Sequence, residues 1–174
     1  MNLIVLIAGS IFIAIFSWFF SISHRRYHGI PRFFAFESIF ILFLLNYRVW
    51  FLHPFSILQI ISWILLIFSA WAGIEGFLLL KRRGRPQGEF ENTTILVKTG
   101  LYGIIRHPLY LSLLLLGTGI MLKDPGATQV ILGIVVLTAL YFTAKIEEKE
   151  MIERFGNSYI DYMKNTKMFL PFLL

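Results

Sequence analysis

Apolar residues fall along this chain in five runs, each closed by a polar or turn-forming break. Leu3 to Ile22 carries no charge and ends at His24-Arg25-Arg26. Pro31 interrupts the chain before a second run, roughly Phe33 to Leu52, which holds Glu37, Asn46 and Arg48. His53-Pro54 predicts a tight turn, and a third run from Phe55 to Leu80 stops at Lys81-Arg82-Arg83. The segment from there to Arg106 is polar and contains Gly84, Pro86, Gly88 and Asn92. Leu109 to Leu122 forms a fourth run, followed by the turn signal Lys123-Asp124-Pro125-Gly126. The fifth covers Thr128 to about Ala144, and from Lys145 the chain reads as an amphipathic, charged tail.

A spanning helix needs about 20 mainly apolar residues to cross a hydrocarbon core of about 30 Å. The first three runs meet that length. Leu3 to Ile22 has no basic leader and no small-residue cleavage pattern, so it reads as an anchor and not a signal peptide. The fourth run rises only about 21 Å at 1.5 Å per residue. Either its helix starts earlier, or its first turn opens into a protein-lined cavity, where irregular backbone is tolerated. Pro108 suits the first turn of a helix, because its missing N–H has no partner there anyway. Arg106 and His107 then stand at a helix N-terminus, where free N–H groups and the dipole favour anions.

Composition turns these runs into a fold class. Hydrophobic residues make up 57% of the 174 positions and charged residues 15%, with a mean hydropathy of +0.72. A soluble domain carries about 25% charged residues. So little charge cannot cover a water-facing surface, and the expectation is an all-α integral membrane helical bundle of about five transmembrane helices. The whole chain, 1–174, reads as one domain: three N-terminal spans up to residue 80, then a loop, a helical hairpin and the tail. The absence of cysteine rules out thiol nucleophiles and disulfides.

The net charge of +6 does not indicate nucleic acid, because the basic residues flank apolar runs. With five spans, fourteen of the sixteen Lys and Arg fall on one side; Lys123 falls on the other and Arg48 within a span. Lys and Arg accumulate on cytoplasmic flanks, which predicts the N-terminus outside and the long loop and C-terminus in the cytoplasm.

Two clusters could carry chemistry. One runs from Leu96 to Tyr110, the other from Glu147 to Tyr162. A hairpin of the fourth and fifth runs would bring them together at one interface, a constellation of Tyr, Arg, His and two Glu. Such a place suits a ligand with a charged end and an apolar target. On the residues alone, Arg106 and His107 also suit ordinary cytoplasmic flanks, Glu147 and Glu148 a solvated face beside Lys145 and Lys149, and Tyr102 and Tyr110 an interfacial belt. Glu37 and Arg48 lie eleven residues apart, about three turns, so they share a helix face as a stabilising pair or a cavity wall. Gly73, Gly76, Gly117 and Gly119 read as close-packing positions.

The two clusters carry a resemblance. Leu96-Val97, Gly100 and Tyr102, then Arg106-His107-Pro108 and Tyr110, then Glu147-Glu148, Phe155-Gly156, Tyr159 and Tyr162 follow one another in the order of the isoprenylcysteine carboxyl methyltransferases and their prokaryotic relatives. The closing Leu170-Pro171-Phe172 is similar too, and Gly84-Arg85-Pro86-Gln87-Gly88 looks like a segment of related phospholipid methyltransferases. The match covers about the last eighty residues. Ser112 departs from it, standing where relatives often have glycine, which bears on packing near the cofactor. The resemblance implies a methyltransferase that uses S-adenosylmethionine on a lipophilic small molecule or lipidated substrate in the membrane, most like carboxyl O-methylation of an isoprenylcysteine-type acid. It marks Gly100, Tyr102, Arg106, His107, Tyr110, Glu147 and Glu148 as cofactor-binding, with no metal. Arg106 would offer a bidentate fork to the cofactor's carboxylate. His107, Tyr102 or Tyr110 would supply hydrogen bonds or an aromatic face for its cationic end. Glu147 or Glu148 would accept from ribose hydroxyls or the ammonium. Alternatives are a phosphatidylethanolamine-type N-methyltransferase, an NADPH-dependent membrane reductase and an inactive membrane scaffold.

Overall fold

The computed structural model describes residues 3–20, 27–87 and 93–171. Among the positions singled out above, Ile22, His24, Arg25, Arg26, Gly88, Asn92 and Phe172 lie outside the described residues. The chain forms an all-α membrane bundle of α1 (Leu3–Phe20), α2 (Gly29–Asn46), α3 (Ile57–Arg83), α4 (Pro108–Met121), α5 (Ala127–Phe155) and α6 (Asn157–Asn165). Three of these, α2 with the short turn after it, α3 and α5, are long and apolar enough to cross a membrane; α1 and α4 are shorter apolar helices. Large apolar side chains such as Ile4, Phe12, Ile67 and Trp71 stand exposed on the outer faces of α1 and α3, as lipid-facing positions do.

The boundaries of α2 shift from the sequence expectation at both ends. It begins at Gly29, because Pro31 sits in the first turn, where a missing N–H breaks no helical bond. It stops at Asn46, which is fully buried and donates Nδ2 to the Ile120 carbonyl near the end of α4, 2.8 Å away. A 3-10 turn, Tyr47–Val49, carries Arg48 out of the helix, where its Nε donates to Tyr47 Oη at 2.9 Å. Glu37 instead accepts from Ser10 Oγ of α1. The two charges of this run do not meet.

Helix α4 lies at the centre, against α3, α2 and α5, while α5 packs chiefly on α2. The expected α4–α5 hairpin forms, but the main partner of α4 is α3. Small residues explain this, since helices in lipid gain from close backbone approach and interhelical hydrogen bonds and not from water exclusion. Ser62 Oγ donates to the Gly119 carbonyl at 2.6 Å, and Ser69 Oγ to that of Ser112 at 2.7 Å. A Cβ at Gly76 would meet Pro108 Cβ at 3.2 Å, and one at Gly73 would meet Ser112 Oγ at 3.3 Å. Where α2, α4 and α5 meet, Ala35, Leu42, Ile120, Val136 and Leu140 form the core.

The expected tail beginning at Lys145 is a continuation of α5, whose 29 residues extend to Phe155. At 1.5 Å per residue this is about 43 Å, longer than the hydrocarbon core, so its last turns project beyond the apolar layer. Gly156 ends it with φ +56° and ψ −135°. That backbone region is essentially reserved for glycine, and it turns the chain back so that α6 packs on the end of the bundle.

Candidate functional site

The segment before α4 decides how the site is built. Helix α4 begins at Pro108, so its short length is met by the second alternative, a first turn that opens on a protein-lined cavity. Upstream, a 3-10 turn, Gly100–Gly103, delivers Tyr102 to the interior. Gly100 has φ +62°, and a Cβ there would fall 2.8 Å from Leu79 Cδ1, so both torsion and space demand glycine. The irregular stretch 104–107 is satisfied by the end of the chain. Arg106 N–H donates to the Lys167 carbonyl at 2.7 Å, His107 N–H to that of Met168 at 3.2 Å, and Lys167 N–H to that of Ile104 at 3.2 Å. Buried backbone in lipid requires such partners.

Around this segment lies a cavity of about 1030 Å³ including its open mouth, comparable with ligand pockets in general. Tyr102, Arg106, His107, Tyr110 and Glu147 line it together. Both sequence clusters therefore reach one space. Gly100 stays outside the lining and acts by shaping the turn that carries Tyr102. Glu148 also stays outside it, buried behind Arg106, with its Oε1 accepting from Arg106 Nε at 2.7 Å. Arg106 Nη1 donates to the Thr166 carbonyl as well. The guanidinium thus ties α5 to the end of the chain at the cavity wall.

His107 stands between the two glutamates. Its Nδ1 lies 3.6 Å from Glu147 Oε2, its Nε2 lies 3.6 Å from Glu148 Oε1, and its ring stacks on Tyr110 at 5.3 Å between centroids. Burial opposes a charge on the imidazole, but the two carboxylates outweigh it and raise the pKa above its ordinary value. His107 Nε2 is buried without a hydrogen-bond partner among the described residues. Tyr159 also lines the cavity, and burial together with Glu147 and Glu148 pushes its phenol up, so it stays a neutral donor. Tyr162 Oη donates to the Tyr102 carbonyl at 2.6 Å and locks α6 to the 3-10 turn.

Several lining residues were not assigned from sequence. Tyr159 and Tyr162 had a usable signal, a pair three residues apart just after a glycine helix stop. Ser112 lines the cavity and bonds back to the Leu109 carbonyl at 2.7 Å, so the departure from glycine is accommodated. Arg32 and Phe36 of α2 had no signal, because a basic flank and an apolar span look alike wherever they point.

The residues present suit S-adenosylmethionine: an arginine and a histidine with an orphaned ring nitrogen beside carboxylate and phenol groups, on walls made apolar by Leu80, Leu96, Val97 and Leu113. Comparison with known proteins points to methyltransferases. The sequence pattern of the phospholipid methyltransferase family matches residues 57–158. Protein-S-isoprenylcysteine O-methyltransferase of Saccharomyces cerevisiae is 35% identical over 86 residues, 48% of this chain and 35% of that protein. The Mus musculus protein of that name is 36% identical over 93 residues, 50% of this chain and 31% of its own length. Methanethiol S-methyltransferase of Pseudomonas deceptionensis is 35% identical over 75 residues, 42% of this chain and 27% of that protein. The matched stretch therefore spans no more than 35% of these relatives.

Proposed function

The chain belongs to the phospholipid methyltransferase family, and from that premise we propose that it transfers a methyl group from S-adenosylmethionine to a lipophilic acceptor, an acid of the isoprenylcysteine type. The observation that carries the reading is the single cavity shared by Tyr102, Arg106, His107, Tyr110 and Glu147, with Glu148 fixed behind it. When bound, S-adenosylmethionine supplies a methyl group on a positive sulfur, which leaves with the bonding electrons.

The chain's own residues then bind, orient and exclude water. Arg106, held in place by Glu148, presents its remaining donors to a carboxylate. Tyr102 and Tyr110 offer aromatic faces to a cation, and Glu147 accepts from an ammonium or from hydroxyls. Gly100 contributes by setting the turn under Tyr102. A carboxylate acceptor is already ionised at neutral pH and needs no general base, so positioning and partial desolvation suffice. This fits a cavity without a nucleophilic thiol.

The second reading, an amine acceptor of the phosphatidylethanolamine type, draws on the family pattern and on His107, which stands between two carboxylates where a proton can be held. Products made with radiolabelled cofactor separate the two. A base-labile methyl ester supports the acid, and a base-stable methylamine supports the amine. A cytoplasmic placement of the cavity is supported by the basic residues at its end of the bundle, Arg32, Lys81 to Arg83, Arg106 and Lys145, against Arg48 and Lys123 at the other. The direct test of the cofactor assignment is calorimetry in detergent. S-Adenosylhomocysteine should bind the wild-type protein and fail to bind Arg106→Ala; equal affinity in both sinks the assignment.

A further inference from the structure

Tyr162 of α6 has a space on each side of it. It lines the polar cavity, and it also lines a recess of about 440 Å³, counted to its open mouth, where α6 meets the 3-10 turn. Lys98, Gly103, Asp161, Asn165 and Thr166 form the rest of that recess. The first four of these are exposed, so the recess already meets solvent, whereas Tyr162 is only 6% exposed. Its side chain is thus a wall that the two spaces share.

A cavity that takes a charged ligand inside a membrane bundle needs such a wall to open. Charged groups are excluded from hydrocarbon, so the methyl donor and its demethylated product must exchange at the polar end. There the Tyr162 ring is held inward by the bond from its Oη to the Tyr102 carbonyl, at 2.6 Å. The backbone around it is fixed by other groups. Thr166 Oγ1 donates to the Tyr162 carbonyl at 2.7 Å, Arg106 Nη1 to the Met163 carbonyl at 3.4 Å, and Lys98 Nζ to that of Ser158 at 3.1 Å. The ring can therefore turn while α6 stays in place. Two χ1 wells are open to a long side chain on a helix, and the recess gives the second one room. Gly103 brings no side chain to narrow the opening, and a Cβ there would lie 3.2 Å from the Lys98 carbonyl.

We propose that this recess is the aqueous port of the cofactor cavity and that the Tyr162 side chain is its gate. The proposal rests on the methyltransferase reading and goes beyond it by giving the route of the charged donor and product. With the ring inward, its hydroxyl closes on Tyr102 and the reacting groups are shut from water. With the ring outward, the cavity opens on the recess, where Asp161 and Asn165 offer acceptors to the hydroxyl. Lys98 and Asp161 set opposite charges at the mouth, which suits the zwitterionic amino-acid portion that donor and product share.

The test reads rates and needs no turnover. Association and dissociation of S-adenosylhomocysteine are followed by surface plasmon resonance on the immobilised protein in detergent. Tyr162→Phe keeps the ring and removes its latch, so both rates should rise by about threefold to tenfold, the factor one hydrogen bond holds. Faster dissociation with unchanged association is what a merely structural tyrosine would give, and it overturns the gate. The chain has no cysteine of its own, so Asn165→Cys can be alkylated alone with a bulky maleimide to plug the recess. Unmodified, this variant should exchange the ligand as wild type does; modified, both rates should fall by about tenfold or more. Unchanged rates after complete modification overturn the port, and this arm decides the matter if the phenylalanine variant does not fold. Arg154→Ala tests the opposite wall, where Arg154 Nη1 donates to the Thr93 carbonyl at 3.3 Å. If that variant speeds both rates and Tyr162→Phe does not, the ligand leaves there and the port is overturned. Wild-type protein that binds no S-adenosylhomocysteine removes the methyltransferase reading and the port with it; binding with rates that neither change alters removes the port alone.

Discussion

Two polar clusters cap opposite ends of this bundle and solve the cost of burial in opposite ways. At the cavity end, Arg106 meets Glu148 at 2.7 Å and His107 stands between two carboxylates, so charge is balanced by charge beside a large open space. At the far end Lys123 is equally buried, but neutral groups surround it. Its Nζ donates to Gln59 Oε1 at 3.0 Å and lies 3.8 Å above the Trp63 ring, while Gln59 Nε2 donates back to the Lys123 carbonyl at 2.9 Å. Asn46 completes that cluster, donating to the Ile120 carbonyl and accepting from Gln129 at 3.1 Å. There the polar atoms close on one another and on helix-end carbonyls, so they tie α2, α3 and α4 together. The comparison teaches that a buried charge in a membrane bundle does not by itself mark a site. An adjoining cavity and groups left with donors to offer do.

The sharpest way to break this contrast is to truncate one charge at each end. Arg106→Ala removes the nearest partner of buried Glu148 and leaves it only the longer contacts to His107 and Lys145, a loss of up to about 3 to 5 kcal/mol. It should abolish S-adenosylhomocysteine binding in calorimetry and lower the melting temperature. Second in size is the pH dependence of His107. Its pKa is raised in the folded protein, so its contribution to stability is complete below the ordinary histidine range and is lost as pH rises through the raised value. The melting temperatures of wild type and His107→Gln should therefore converge on going from mildly acidic to alkaline buffer; a constant gap would refute the pairing with the glutamates.

Lys123→Met tests the other end. A hydrophobic replacement for a buried cation is often near neutral, so stability should change by about 1 kcal/mol or less. Cofactor affinity should not change, and a tenfold loss would make the far cluster part of the site. The smallest effect belongs to Glu37→Gln, which keeps an acceptor for Ser10 and lies outside the cavity lining. Binding of S-adenosylhomocysteine measured by calorimetry should be nearly intact.

Much of the fold was legible along the chain. Apolar runs located α1 to α5, and Pro108 marked the start of α4. Misreadings arose where charge was taken to end a helix. Lys145 to Arg154 looked like a tail because the residues are polar, yet backbone hydrogen bonds carry α5 through them. Arg48 looked like part of the helix of the second run; it lies within the apolar span Gly29–Val49, but on the 3-10 turn that follows Asn46. Five of the seven residues marked for the cofactor line one cavity, and the other two support it from behind.

The sequence by itself determined which segments leave water, where they stop and which polar blocks fall at their ends, because transfer of apolar length out of water is a local property of the chain. It could not determine which face of each helix turns inward. In lipid the outer face is as apolar as the inner one, so no periodic contrast records the choice. Tertiary structure alone brought Arg106 against Glu148 across 42 positions of sequence, seated α4 on α3 through small residues, and turned the Arg32–Phe36 face of α2 toward the cavity. Those choices rest on close backbone approach and on satisfying every buried polar group, and both depend on the packed bundle as a whole.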